Sequence, residues 1–291
     1  MAFLDLLRRA VRLPRTRRLD GSARSSATAA AANPPQEAGQ ATALPSSLLA
    51  VGSSSAGLIE GPGTPITFNA DGLATVHSAE FLDEPRFAEA VRLGMATATI
   101  FSNVRIEWRL FVACWAASHA RNLAGDFVEC GVNTGVLSRA VIHYVDFAAM
   151  PDRQFYLLDT YRGLVPELLS EEELAAGRGD NRHYPDCYDQ VCRTFAPFPN
   201  VRIVRGAVPS TLAEIRSDRI AYVSIDMNCV APEIAAGEFL WPRLVPGAVI
   251  VLDDYGWRPF ILQKRAWDAF AQERGVKVLA LPTGQGLLIK P

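Results

Sequence analysis

From Gly125 onward the chain alternates short apolar runs with amphipathic stretches, and this rhythm limits the fold more than any other feature. Apolar runs at 126–130, 155–158, 201–204, 220–225 and 248–252 read as strands. Helical patterns lie between or after them at 135–144, 186–195, 232–244 and 260–274. In the first helix Val136, Leu137, Ala140, Val141 and Tyr144 share one face. Pro232 suits a first helical turn and Gly275 a helix stop. Strands joined through helices pair in parallel, and both faces of such a sheet are covered. Two last runs, 277–281 and 287–290, flank the turn Thr283-Gly284-Gln285-Gly286 and predict a hairpin that adds an antiparallel strand. The expected fold is therefore α/β: a doubly wound, mostly parallel, seven-stranded Rossmann-like sheet.

Upstream the character changes. Residues 1–18 carry six arginines (Arg8, Arg9, Arg12, Arg15, Arg17 and Arg18) among Phe3, Leu4, Leu6, Leu7 and Val11. No long apolar core with a small-residue cleavage site follows, which argues against a secretory signal. A disordered tail, a basic helix in weak contact with an anionic membrane surface, and an organelle-type presequence all fit. Residues 19–65 are rich in Ala, Ser, Gly and Pro and read as a linker. Order is expected near Phe81, with helices over 84–98 and 104–123. In the second, Val104, Trp108, Phe111, Val112, Trp115 and Ala116 recur at helical spacing, which predicts that Trp108 and Trp115 are buried anchors. The expected organisation is a basic segment and linker over 1–79, a helical cap over 80–124, and the sheet domain over 125–291.

A formal net charge of −2 over 291 residues gives no reason to expect a nucleic-acid partner. The five cysteines form no CxxC pair and read as free thiols in a reducing cytoplasm, where the protein is expected to work. No apolar run reaches the roughly 18 to 20 residues that span a bilayer.

In an open α/β sheet, ligands bind beyond the carboxyl ends of the strands. After the first strand comes Glu129-Cys130-Gly131-Val132-Asn133-Thr134-Gly135, in which Gly131 and Gly135 allow a tight turn before a helix N-terminus. After the second comes Asp159-Thr160, where an acid can accept both hydroxyls of a ribose. Together they predict a nucleoside cofactor. After the fourth strand comes Asp226-Met227-Asn228, and after the fifth Asp253-Asp254-Tyr255. Neighbouring strands would bring Asp226, Asp253 and Asp254 together, and such carboxylates repel unless a cation or proton intervenes. Hard oxygen ligands favour Mg²⁺, with Ca²⁺ or Mn²⁺ as alternatives. A helix cap and a pairing with Arg would also account for these acids.

These blocks carry a resemblance. Gly125-Asp126-Phe127-Val128-Glu129-Cys130-Gly131-Val132, Leu157-Leu158-Asp159-Thr160, Asp226, Pro242-Arg243-Leu244-Val245-Pro246-Gly247 and Asp253-Asp254-Tyr255-Gly256 resemble, in order, the macrocin-type O-methyltransferase family over residues 80–291. The resemblance implies a class I methyltransferase fold, S-adenosylmethionine as methyl donor, and Mg²⁺ holding the hydroxyls of an acceptor sugar. It implies that Glu129, Gly131 and Gly135 line the methionine and ribose end of the cofactor. It places Asp159, with Thr160 beside it, at the ribose and Gly206 near the adenine. It makes Asp226, Asp253 and Asp254 the metal ligands, Asp226 serving catalysis as well.

One departure stands out. The family usually reads Asp-x-Asp after the fourth strand, its second Asp being the proposed base, whereas this chain has Asn228. A neutral amide takes no proton at physiological pH. The metal can lower the acceptor's pKa, another base such as His183 or Tyr184 can substitute, or the protein binds without catalysing. Asp226-Met227-Asn228-Cys229-Val230-Ala231-Pro232-Glu233 and Leu281-Pro282-Thr283-Gly284-Gln285-Gly286 resemble a distinct branch of these enzymes, to which Asn228 can be proper.

The function expected is transfer of a methyl group to a hydroxyl of a sugar or other vicinal diol. The loop 162–184 reads equally as a lid or as a solvated helix and turn. A non-catalytic cofactor-binding scaffold and an NAD-dependent dehydrogenase are the alternatives. The helical cap would cover the acceptor or form the contact of a homo-oligomer.

Overall fold

The computed structural model describes residues 65–99 and 103–291. The basic segment at 1–18 and the linker upstream of residue 65 lie outside the described residues.

Regular structure is present upstream of Phe81. Strands β1 (Phe68–Ala70) and β2 (Leu73–Thr75) form a two-stranded antiparallel hairpin. Asp71 and Gly72 make its turn with φ of 53° and 73°, the pair of left-handed residues that a tight hairpin turn requires. Helices α1 (Pro85–Met95) and α2 (Glu107–Ala120) follow, close to the expected spans. The face of α2 that enters the core is Leu110, Ala113, Cys114 and Ala117, because small side chains let the helix sit close to the sheet. Trp115 is therefore not a buried anchor: it is 48% exposed and stacks on His119. Val104, expected on the same stripe, is also exposed. Trp108 does pack inward, edge-on to Phe68 and Phe81.

The main domain runs β3 (Asp126–Cys130), α3 (Val136–Tyr144), β4 (Phe155–Asp159), α4 (Glu171–Ala175), α5 (Tyr188–Phe195), β5 (Val201–Arg205), β6 (Ile220–Ile225), α6 (Val230–Leu240), β7 (Leu244–Leu252), α7 (Ile261–Glu273), β8 (Leu279–Ala280) and β9 (Gly286–Ile289). The sheet order is β5-β4-β3-β6-β7-β9-β8. The pairs β5-β4, β4-β3, β3-β6 and β6-β7 are parallel; β9 runs antiparallel to both β7 and β8. The antiparallel strand thus sits second from the edge, inside β8. Phe87, Leu110 and Val141 fill one face of the sheet, and Leu240, Trp267 and Phe270 the other. Helix α6 ends at Leu240, four residues before the expected end. Pro242 cannot continue the backbone ladder, so a single 3-10 turn, Trp241–Arg243, leads straight into β7.

Strand order reverses between β3 and β6, so the connections leaving these two strands diverge and open a crevice. Gly131 is the tightest point there. Its φ is 90°, and a Cβ would lie 1.9 Å from the Asp226 carbonyl oxygen. No helix among the described residues is long and apolar enough to cross a membrane.

Candidate active site

A cavity of about 500 Å³ opens at the carboxyl ends of β3, β4, β6 and β7. Glu129, Gly131, Asp159, Thr160 and Gly206 line one part of it. Asp226, Asn228, Asp253 and Asp254 line another. Of the expected cofactor residues only Gly135 is not on the wall; it is the left-handed N-cap of α3, just behind.

Asp159 organises the first part. Its Oδ2 accepts the backbone N–H groups of Val132 (2.6 Å) and Asn133 (2.7 Å). Its Oδ1 accepts the Tyr161 N–H (2.6 Å), while the Thr160 hydroxyl beside it donates to the Gly163 carbonyl (2.5 Å). A carboxylate has about four acceptor sites, so the turn after β3 is folded around this one side chain. The Gly206 N–H donates to the Asp159 carbonyl (2.8 Å), which ties the end of β5 to the same point. Glu129 is buried and takes a hydrogen bond from Ser138 (2.5 Å). Burial pushes its carboxyl up to about 8; the Ser138 bond opposes the rise, while the charges of Asp253 and Asp159 add to it.

In the second part, oxygen atoms of Asp226, Asp253 and Asp254 all lie within 4.8 Å of one another. Burial and the two neighbouring carboxylates hold Asp226 well above the usual carboxylate range. Burial and then Asp253 push Asp254 up to about 7. Such crowding favours a cation, and an all-oxygen donor set is the chemistry a hard divalent ion takes. The three carboxylates fit Mg²⁺ in kind.

Two residues that sequence reasoning did not single out also meet here. Arg109, on α2, reaches Asp253 (2.6 Å) and Asp254 (3.4 Å) with one nitrogen. Its other nitrogens grip Asp71 of the hairpin turn at 2.6 and 3.0 Å. Its guanidinium also lies 5.0 Å from the centre of the Trp257 ring. One guanidinium therefore faces three carboxylates. Behind the wall, Glu233 accepts Gln263 and Trp267 side chains at 2.9 Å each, together with the backbone N–H groups of Met227 and Asn228. It thereby holds the turn that presents Asp226.

Asn228 adopts a left-handed φ of 58°, which asparagine tolerates better than most residues. His183 and Tyr184, the two candidate bases, separate. Tyr184 lines the main cavity, and burial beside Asp226 and Asp254 pushes its phenol up to about 12. His183 is exposed and lines a small neighbouring recess with Thr99 and Pro185. The 162–184 segment is a docked structure. Ser170 and Glu173 form a capping box on α4, and the second oxygen of Glu173 accepts the Val230 N–H at the start of α6 (2.8 Å).

A protein-family model for macrocin-O-methyltransferase (TylF) matches residues 75–280. The chain belongs to this family. It is a methyltransferase, and the family's methyl donor is S-adenosylmethionine. Among solved structures, the O-methyltransferase NovP superposes with a TM-score of 0.57 at 18% identity, over 70% of this chain and 97% of NovP. CalS11, a calicheamicin methyltransferase, gives a TM-score of 0.50 at 19% identity, over 73% of this chain and 94% of CalS11. At these identities the likeness is one of fold. No curated protein matches the chain. The cavity lies beyond the strand ends at the reversal of strand order, the place where open α/β sheets bind their ligands.

Proposed function

We propose that this protein is a cation-assisted O-methyltransferase acting on a hydroxyl of a sugar or another vicinal diol. One observation carries the reading: three carboxylates with oxygens within 4.8 Å share a cavity with the Gly131–Asp159 turn of a methyltransferase fold. In this reading the Val132 and Asn133 turn, Asp159 and Gly206 seat the nucleoside of S-adenosylmethionine. Asp226, Asp253 and Asp254 would hold the cation. When bound, a divalent ion lowers the pKa of a coordinated hydroxyl and steadies developing alkoxide charge.

The chain's own part is positioning. The acceptor oxygen attacks the methyl carbon in line, the carbon–sulfur bond breaks, its electron pair goes to sulfur, and the hydroxyl proton passes to solvent water. Alignment of oxygen, carbon and sulfur supplies much of the acceleration. Arg109 and the hairpin that carries Asp71 close the acceptor end. Tyr184, neutral at physiological pH, offers a hydroxyl donor there. Asn228 cannot take the proton, but its amide supports Asp226 in the charged state.

The test is methyl transfer to a panel of sugar and catechol acceptors. Turnover that stops on chelation, returns with Mg²⁺ and is lost in Asp254→Ala supports the reading. Asn228 itself favours a second reading, a cofactor-binding protein without chemistry. Binding of S-adenosylhomocysteine with no turnover on any acceptor, but turnover by Asn228→Asp, would establish that one.

A further inference from the structure

The terminal turn Thr283-Gly284-Gln285-Gly286 is the one branch motif that the methyl-transfer reading leaves without a task. The structure lays it directly under the loop that follows β7. Gln285 is fully buried, and both the nitrogen and the oxygen of its amide are hydrogen-bonded. Its Nε2 donates to Asp253 Oδ1 (2.9 Å) and to the Arg109 carbonyl oxygen (3.4 Å). Its Oε1 accepts the hydroxyl of Thr283 (3.0 Å), itself buried. Two acceptors on one side and a donor on the other allow only one orientation of the amide.

The backbone of the turn is as closely fitted. The Gly284 carbonyl accepts the Gly256 N–H (2.6 Å). Gly284 has φ of 83°, and a Cβ there would lie 2.4 Å from Nε1 of Trp257. The loop from Asp253 to Trp257 is thus pinned on the turn at three points: Asp253, Gly256 and Trp257.

Asp253 carries a donor on each oxygen, Gln285 on Oδ1 and Arg109 on Oδ2 at 2.6 Å. A carboxylate held at both oxygens cannot rotate about its Cβ–Cγ bond without losing one bond. Arg109 serves Asp71 and Asp254 as well, whereas Asp253 is the one carboxylate that Gln285 bonds.

We propose that Gln285, held by Thr283, is a positioning residue that sets the plane of the Asp253 carboxylate for the divalent cation. The inference rests on the cation-assisted reading and adds a residue to it that touches neither cofactor nor acceptor. Outer partners of ligating carboxylates commonly carry ten- to a hundredfold of metal affinity, a general range of roughly that size.

The experiment titrates Mg²⁺ into the full-length protein saturated with S-adenosylhomocysteine. Wild type, Gln285→Met, Thr283→Val and Thr283→Ser are compared. Methionine keeps the volume and removes the donor; serine keeps the hydroxyl that valine lacks. Gln285→Met is expected to weaken Mg²⁺ binding about tenfold or more. Thr283→Val should weaken it less, and Thr283→Ser should restore it. The affinity of each variant for S-adenosylhomocysteine without Mg²⁺ should stay that of the wild type, because the turn lies under the acid cluster alone. Wild-type Mg²⁺ affinity in Gln285→Met overturns the proposal, as does an equal loss of S-adenosylhomocysteine binding. If Gln285→Met does not fold, the threonine pair decides: equal Mg²⁺ affinities for valine and serine overturn it. A wild-type protein that takes up no Mg²⁺ removes the cation-assisted reading and this inference with it.

Discussion

The side-chain amide of Asn228 donates a hydrogen bond to the Asp226 carboxylate at 3.1 Å. Where the family usually sets two carboxylates in this turn, the present chain sets a carboxylate and a donor. Asn228→Asp replaces that donor with a like charge, while the left-handed backbone is tolerated by either residue. Without divalent ion the variant should lose about 1–2 kcal/mol of stability. With Mg²⁺ the added carboxylate should recover it. Thermal unfolding in EDTA and in Mg²⁺ checks this: the gap between the two curves should be wider in the variant than in the wild type.

Arg109 is the ion-pair partner of Asp71, Asp253 and Asp254 together. Arg109→Leu leaves buried carboxylates uncompensated, a change that typically costs about 3–5 kcal/mol. Chemical denaturation should show a loss of that order, and Mg²⁺ should reduce it.

Glu173 joins the 162–184 segment to the start of α6. Glu173→Ala removes the acceptor for Val230 and one half of the capping box, for a loss of about 1–2 kcal/mol. Limited trypsin digestion should then cut faster at Arg178 and Arg182, with binding of S-adenosylhomocysteine unchanged.

The raised Glu129 carboxyl has a consequence for pH. In the unfolded chain it ionises in the ordinary carboxylate range, whereas burial delays ionisation in the folded protein to about 8. Between these values the folded state binds the extra proton, so this group's contribution to stability is complete at low pH and is lost as pH rises to about 8. Glu129→Gln keeps a partner for Ser138 and removes the slope. Its stability relative to the wild type should rise from about pH 5 to about pH 8, by an amount on the order of a few kcal/mol. Urea unfolding at the two pH values measures it.

The parts of the fold written in continuous apolar runs were legible. Strands Asp126–Cys130 and Ile220–Ile225 stand as expected, because a strand buried on both faces reads as an unbroken run. The carboxylates at the strand ends were legible for the same reason: topology fixes where strand ends meet. The hairpin was not. Phe68–Ala70 and Leu73–Thr75 are three residues each, too short for alternation to show, though Asp71-Gly72 is a recognised turn signal. Arg109 was hidden because an arginine on a helix reads as a solvated face, and its partners lie 38, 144 and 145 residues away. Trp115 misled because residues 110–117 of α2 are all apolar, so spacing alone could not tell which stripe faces the sheet.

The most direct test is calorimetric titration of the purified protein with S-adenosylhomocysteine, in the presence and absence of Mg²⁺, beside the Asp159→Ala variant and an NAD control. The account predicts micromolar binding by the wild type, loss of it in Asp159→Ala, and no binding of NAD. Absence of binding under both conditions, or a preference for NAD, would contradict the assignment of this cavity to S-adenosylmethionine.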